Sequence, residues 1–571
     1  MENNALQVDY SNWEAGKQYP EWMDEISLAT ISKGYLLPGE TVKSAYRRVA
    51  NASAIRLKKP ELGPKFMRLM WNGWLGLASP VISNMGTDRG LPISCFGIDT
   101  PDSIRGIGLT NAELMKLTAS GGGVGISLNR IRQRGEEIAG NGKSEGVVPW
   151  AKIYDSSIIA TNQGNVRRGA ASVNLDIEHG DIDEFLQIRR PKGDPNRQCL
   201  NLHQCVVVGD SFMRKLEARD PEAMSRWTTV LKARMETGEP YIMYKDNVNK
   251  NNPISYMMNN LEVSMTNICT EITLFTDEEH SFICCLSSLN LASYDEWKDT
   301  DTVELATWFL DGVMQEFIDK SNGKESLKRT HQHAKKGRAL GLGVMGWHTF
   351  LQQKQLPFNS IASTAHTHNI FSDIRSKTEK ASRDMALEYG EPLWCKGTGM
   401  RNTHLLAIAP TVSNSVITGG ISAGIEPLPA NIYTFNGAKG TFIRKNKVLQ
   451  NLLIEKKEDK DQWWDQMLKD GGSVQNLPDN ILSPQDKELF LTFSEINQLE
   501  LVRQAAIRQR YLDQTQSLNL SFDPEDSPKW INQVHIEAWK LGVKTLYYLR
   551  TDSVIKGDLG SRMAECVSCE G

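Results

Sequence analysis

The sequence predicts an α/β fold, and three observations carry the prediction. From about residue 78, short β-type runs (GVGISLNRI, CLNLHQCVVV, KTLYYLRT) alternate with amphipathic stretches (EAMSRWTTVLKARME, VELATWFLDGVMQEFIDK, QLELVRQAAIRQRYL). Such alternation implies parallel strands, because a parallel pair needs a crossover long enough to hold a helix. The 571 residues, 40% hydrophobic and 23% charged, can bury a large core and are too apolar for disorder. Periodicity alone leaves a closed barrel and an open doubly wound sheet equally open, and both place reactive residues on loops at strand ends.

In chain order, residues 1–70 read as a helical region, with 39–57 a helix candidate and Pro38, Pro60 and Pro64 as punctuation. Residues 71–550 carry the α/β grammar. Within them EKKEDKDQWWDQMLKD, 455–470, reads as a solvated helix on an insertion. Residues 551–571 hold Gly, Ser and charge with little apolar material and read as a mobile tail.

Lys and Arg total 65 against 69 Asp and Glu, so the net charge is -4 and no basic stripe is present to meet a phosphate backbone. Nucleic acid is therefore not an expected partner. The start lacks a basic and apolar leader, and nowhere do about 18 apolar residues run together, so the expectation is a cytoplasmic protein that crosses no membrane. Nine cysteines, an odd number without an export signal, argue against a disulfide framework. Cys566-Val-Ser-Cys569 stands apart near the C-terminus and suits a flexible redox pair better than half a zinc site.

Four glycine-rich segments invite a nucleotide reading: SGGGVG at 120–125, GNVRRGAA at 164–171, GLGVMG at 341–346 and TGGISAGIEP at 418–427. GLGVMG matches the dinucleotide fingerprint as a string but follows no apolar strand and has no acidic ribose ligand downstream. PTVSNS, 410–415, suits either a phosphate cradle at a helix start or a plain N-cap and turn. His331 with His333 and His366 with His368 lack zinc-ligand spacing and read as solvated, so no metal is expected. The segment TNICTEITLF is different in kind. Asn267, Cys269 and Glu271 alternate along a strand-like run, which puts an amide, a thiol and a carboxylate on one face. A carboxylate beside a thiol can act as a base while the amide orients a hydroxyl, although cysteine is also often simply buried.

These motifs together resemble the large, catalytic subunit of class I ribonucleotide reductase, from about residue 79 to the end. Asn267, Cys269 and Glu271 match its Asn-x-Cys-x-Glu segment, Cys95 in LPISCFGIDTPDSI and Cys284 in ICCLSSLN match its other active-site cysteines, Tyr547 and Tyr548 its tandem tyrosines, and Cys566 and Cys569 its tail dithiol. The resemblance implies a ten-stranded α/β barrel with a central finger loop bearing Cys269, a helical N-terminal portion and a flexible C-terminal tail. It implies a thiyl radical at Cys269, a proton accepted by Glu271 and substrate hydroxyls ordered by Asn267. It further implies electrons from Cys95 and Cys284, which end as a disulfide that Cys566 and Cys569 reduce by exchange and carry to thioredoxin or glutaredoxin. Cys285 complicates the match, but Leu286 and Ser287 align Cys284 with the redox position, and adjacent strand residues face opposite sides.

By the same resemblance the substrate, a ribonucleoside diphosphate, meets Ser79, Ser94, Gly123 and a phosphate cradle of Thr411, Ser413, Asn414 and Ser415. Asp102, Ser103, Ile104 and Arg132 surround a dNTP or ATP effector, with Ala139 where some relatives carry a second arginine. Residues 189–201, RRPKGDPNRQCLN, match the loop that transmits effector identity, with Arg197 its reader. Tyr547 and Tyr548 end a radical path from a metal-containing small (beta) subunit, so this chain itself binds no catalytic cofactor. A homodimer is implied, and the stretch before Cys95 leaves no room for the family's ATP-cone. The alternatives are an adenosylcobalamin-dependent class II reductase, which has no use for the tyrosine pair, a dinucleotide-dependent oxidoreductase using GLGVMG, and a nucleotide sensor that would not need the cysteine set.

Overall fold

The computed structural model describes residues 16–161, 169–190, 193–437 and 440–551, with backbone alone at 435–437 and 440–442. Before the first strand lie the helices Glu25–Ser32, Val42–Arg56 and Gly63–Trp71. Thr41 caps the second of these, its hydroxyl accepting the Ser44 amide at 3.2 Å. Among the described residues thirteen strands follow: β1 Leu75–Leu77, β2 Cys95–Asp99, β3 Gly123–Ser127, β4 Ala170–Asp176, β5 Leu202–Val208, β6 Tyr241–Tyr244, β7 Phe282–Asn290, β8 Leu340–Met345, β9 Ile432–Gly437, β10 Gly440–Lys445, β11 Leu520–Phe522, β12 Thr545–Leu546 and β13 Leu549–Thr551.

Nine of these strands form one sheet. β2 to β6 run parallel in chain order, and β7 joins the β2 edge antiparallel. At the far edge β12 joins β6, also antiparallel. β7 is the pivot: residues 282–284 pair with β2, 287–289 with β1, and 285–290 with the parallel β8 on its other edge. All nine residues of β7 are buried, as expected of strands covered on both faces. Parallel bridges then carry the pairing on from Leu342 to Leu406 and from Ile408 to Gln516. The architecture is thus a mixed α/β fold around a curled sheet.

The helix Thr302–Ser321 packs against β7 and β8 and buries Val303, Ala306, Phe309, Leu310, Val313 and Phe317. One of its two buried carboxylates, Asp311, accepts two hydrogen bonds from the Arg338 guanidinium, at 2.9 and 2.8 Å. Fork geometry of this kind is what lets a charge sit in a core.

Several expectations are revised. GLGVMG is β8 itself: a Cβ on Gly343 would lie 2.5 Å from the Ala407 carbonyl, so this glycine serves strand packing. KTLYYLRT is two short strands with Tyr547 and Tyr548 between them. His333 is buried against the Trp394 ring at 5.1 Å rather than solvated. The Trp pair does not sit on a solvated face either. Trp464 is the centre of a second, smaller core with Ile432, Leu449, Leu453, Met467 and Phe490, and its indole N–H donates to Asp459 at 2.7 Å. Among the described residues no helix is long and apolar enough to cross a membrane. Cys566 and Cys569 lie outside the described residues.

Candidate active site

β2 and β7 pair so that Cys95 stands directly opposite Cys284. Both are fully buried. Alternation along β7 turns the next thiol away: Cys285 Sγ meets the Leu310 carbonyl of the covering helix at 3.4 Å, whereas Cys284 Sγ receives the Gln514 side-chain amide at 3.3 Å. Burial pushes the Cys284 thiol well up, the neighbouring Cys285 and the Glu271 charge adding and Gln514 opposing, so at neutral pH it is a protonated thiol.

Residues 261–281 form a loop that passes against β3 and β4, which revises the strand expected for 267–271. Its tip is a tight turn. The Thr270 amide donates to the Asn267 carbonyl at 3.3 Å, the Ile272 amide to Asn267 Oδ1 at 3.0 Å, and Thr270 takes a left-handed φ of 66°. This turn, not a pleat, carries Asn267, Cys269 and Glu271, and all three are fully buried. The loop lies so close to β3 that a Cβ on Gly125 would sit 2.2 Å from the Thr266 carbonyl, so only glycine fits there. Asn174 Nδ2 on β4 donates to that same carbonyl at 3.2 Å.

At the tip Glu271 Oε1 stands 3.4 Å from Cys95 Sγ, which puts the carboxylate beside the cross-strand thiols. Ser517 donates its hydroxyl to the Cys269 carbonyl at 2.5 Å and approaches Glu271 Oε2 at 3.4 Å. The Thr515 amide donates to the Glu271 carbonyl at 3.1 Å, and Thr545 Oγ1 to the Thr270 carbonyl at 3.1 Å. Asn267 Nδ2 and Ser94 Oγ are buried with no hydrogen-bond partner among the described residues. Buried donors left in this way commonly await a ligand or water.

Tyr547 directly follows β12, and its amide donates to the Leu518 carbonyl at 2.8 Å, one residue beyond Ser517. The Tyr547 and Tyr548 rings are 4.4 Å apart, and Tyr241 completes a triangle at 4.7 and 5.0 Å. Tyr547 is buried and Tyr548 partly exposed, so the stack leads from the core toward the surface.

The other candidates fall into two places. Gly123 donates its amide to the Ser94 carbonyl at 2.8 Å beside Cys95. Ser79 and Asn414 line one small cavity with Gly76, Leu77, Tyr35 and Ile417. Thr411 caps the helix Val412–Ile417 with a φ of 53°, and its hydroxyl accepts the Gly424 amide at 2.7 Å, while the Ser415 hydroxyl turns back to Val412 O at 2.8 Å. Ser413, Asn414 and the first-turn amides remain as the groups of this cradle suited to an anion. Farther out, Ser103 caps the helix Ile104–Ala119, its hydroxyl accepting the Gly106 amide at 3.0 Å, and Arg132 pairs with Asp102 at 2.8 Å. Ile104 is 75% exposed. Arg197, on the segment 189–201, pairs with Glu184.

Sequence reasoning missed Gln514, Ser517, His203, Glu239 and Tyr241. The first two lie in DQTQS, a polar run that is wholly buried, and a polar run between two apolar stretches was the available signal. The last three meet only through the fold.

Similarity to known proteins agrees with this geometry. The family profile described as "Ribonucleotide reductase, barrel domain" matches residues 93–226, 220–395 and 394–549. A protein of Invertebrate iridescent virus 3 named "Ribonucleoside-diphosphate reductase large subunit" is 34% identical over 89% of this chain and 92% of its own. A Danio rerio protein with the same name is 29% identical, over 91% and 75%. Among solved structures, the "Actinobacillus ureae class Id ribonucleotide reductase alpha subunit" is similar with a TM-score of 0.88 at 40% identity, covering 95% of this chain and 100% of that one. The chain belongs to the ribonucleotide reductase family. Within it, the chain is a large, catalytic subunit of class I, an oxidoreductase acting on ribonucleoside diphosphates. That class takes its radical from a small subunit, which sets aside the adenosylcobalamin alternative.

Proposed function

We propose that Cys269 is the thiyl site and that Cys95 and Cys284 are the reducing pair. The observation that carries this reading is the cross-strand register of Cys95 and Cys284 with Glu271 Oε1 3.4 Å from Cys95 Sγ. A Cys269 thiyl takes the substrate's 3′-hydrogen atom, leaving a carbon radical and a thiol. Glu271 accepts the 3′-hydroxyl proton, and the 2′-hydroxyl leaves as water with a proton from the thiol pair. Cys95 and Cys284 supply two electrons and two protons, one to the departing water and one to C2′, and close a disulfide; Glu271 returns its proton to the 3′-oxygen, and Cys269 returns the hydrogen atom to C3′ and is again a thiyl. Asn267 Nδ2, with no other partner among the described residues, would donate to a substrate hydroxyl.

The diphosphate would lie on Ser413, Asn414 and the first-turn amides, with Thr411 and Ser415 shaping the turn and Ser79, Ser94 and Gly123 toward the sugar. Tyr548 and Tyr547 would pass the radical inward from the small-subunit partner. Cys566 and Cys569 would reduce the Cys95–Cys284 disulfide and be reduced in turn by thioredoxin or glutaredoxin. A dNTP or ATP effector would sit at Asp102, Ser103, Ile104 and Arg132, read through Arg197. Exposed Ile104, Leu109 and Met115, with Ile153 and Ile159 on the neighbouring helix Val148–Thr161, form an apolar face that supports a homodimer at this site.

The ten-stranded barrel is the finer reading of the sheet. β2 to β6 make one parallel half, and β7, β8, 405–408, 514–522 and 545–551 the other. The divisions 1–70, 71–550 and 551–571 follow from it. The test of the site is Cys269→Ser in the full chain with its small subunit: turnover should vanish while dNTP binding is unchanged. Wild-type turnover in that variant would refute the assignment.

A further inference from the structure

At the outer end of the tyrosine stack a histidine and a carboxylate meet the phenols. Tyr548 Oη lies 3.4 Å and Tyr241 Oη 3.1 Å from His203 Nδ1 on β5, and Glu239 Oε1 lies 2.7 Å from the same nitrogen. One ring nitrogen cannot accept from a phenol while facing a carboxylate that also only accepts. The short approach therefore places a proton on Nδ1, donated to Glu239. Glu239 is buried, and its second oxygen accepts the Gln204 amide at 3.0 Å and faces Arg189 Nε at 3.5 Å. Burial raises the Glu239 carboxyl, but Arg189, His203 and the amide outweigh it and hold it below the ordinary carboxylate value, so it is ionised. The turn that carries Glu239 is fixed against the tyrosines, because the Leu549 amide donates to the Gly238 carbonyl at 3.0 Å and Arg234 Nη2 to the Tyr547 carbonyl at 3.1 Å.

We propose that the His203–Glu239 pair takes the phenolic proton of Tyr548 each time that residue is oxidised and returns it each time it is reduced. This rests on the radical path read above. Losing an electron makes a phenol a strong acid, so the transfer needs a proton acceptor within hydrogen-bond reach. The electron goes to the oxidised residue offered by the small subunit, the proton on His203 Nδ1 shifts to Glu239 Oε1, and the vacated Nδ1 takes the Tyr548 proton. When Tyr548 recovers an electron from Tyr547, both protons step back. Among the described residues, Arg189, Arg234, Tyr241 and Tyr547 are other titratable groups beside this cluster. Tyr241 shares Nδ1 and holds the ring between two phenols.

The experiment uses the full chain with its small subunit, CDP and a dNTP effector, and compares His203→Gln, Glu239→Gln and Tyr548→Phe. Both network variants should lose kcat by roughly 10²-fold, the scale of a removed acid–base group, with KM for CDP and effector binding unchanged. A fluorinated tyrosine of lowered phenol pKa at position 548 in the His203→Gln background should then regain turnover above that pKa, because a phenolate has no proton to give up. Wild-type kcat in both network variants, or a loss that the fluorinated residue does not rescue, overturns the proposal. If His203→Gln loses effector binding, Glu239→Gln with the same rescue decides. Tyr548→Phe separates the levels: undiminished turnover there refutes the radical path itself, whereas inactive Tyr548→Phe beside active network variants refutes only the proton acceptor.

Discussion

Cys284 and Cys285 are chemically alike, adjacent and equally buried, and the pleat of β7 alone gives them different surroundings. One faces Cys95 and the Gln514 amide; the other meets a helix carbonyl. Cys284→Ala should therefore abolish turnover even with a small dithiol present, while Cys285→Ala retains it and loses only packing, about 1 kcal/mol for the volume removed. Activity assays with thermal melts on both variants check this, and the reverse pattern would transfer the redox role to Cys285. That Cys284 and Cys285 face opposite sides was legible in the sequence, since alternation is a property of any strand, whereas the match of Cys284 to the position beside Cys95 came from the resemblance. The Glu271–Cys95 contact was not, because those residues lie on separate elements and meet only when the loop enters the sheet.

At the scale of elements, the finger loop is held by partners at its tip and by the segment that follows the helix Gln498–Gln509. Asp513 begins that segment and ties it to 405–408, its carboxylate accepting the Leu405 and Leu406 amides at 2.8 and 2.9 Å and the Arg375 guanidinium at 2.7 Å. Burial raises its carboxyl, but Arg375 and the two amides prevail and hold it below the ordinary value. Lys544 answers from the other side, donating to the Asp513 and Gln514 carbonyls at 2.6 and 3.0 Å, and burial pushes its ammonium down to about 7. Asp513→Asn should cost about 3 to 5 kcal/mol, as breaking a buried pair does. A folded carboxyl more acidic than the unfolded one, at about 3.9, stabilises fully above the unfolded value and loses that contribution as pH falls through the folded value. The wild type's extra stability over Asp513→Asn should therefore shrink in acid melts, and a pH-independent gap would contradict the assignment. The alternating segments were legible because apolar periodicity marks strands and helices. The loop 261–281 was not, since Asn-x-Cys-x-Glu has the period of a strand while the structure achieves the same clustering with a left-handed Thr270.

At the scale of the molecule, two runs of parallel strands meet antiparallel where β2 joins β7 and where β6 joins β12. The first junction holds the thiol pair, and the second lies beside the tyrosine stack, with the loop bearing Cys269 between them. The α/β class could be read from the chain, but the order in which the strands pair could not, because alternation marks strands without naming their neighbours. The small second core around Trp464 could not, because charge on one side of a short helix hides what the other side buries. The central claim is that Cys95 and Cys284 provide the electrons and that Cys269 starts the chemistry. Its most direct test is a reductant-free reaction of the pre-reduced Cys566→Ser, Cys569→Ser chain with its small subunit, CDP and effector, followed by peptide mapping. The account predicts a single turnover's product and a Cys95–Cys284 disulfide in matching amounts, and neither when Cys269 is also Ser. Product without that disulfide, or a disulfide through Cys285, would contradict it.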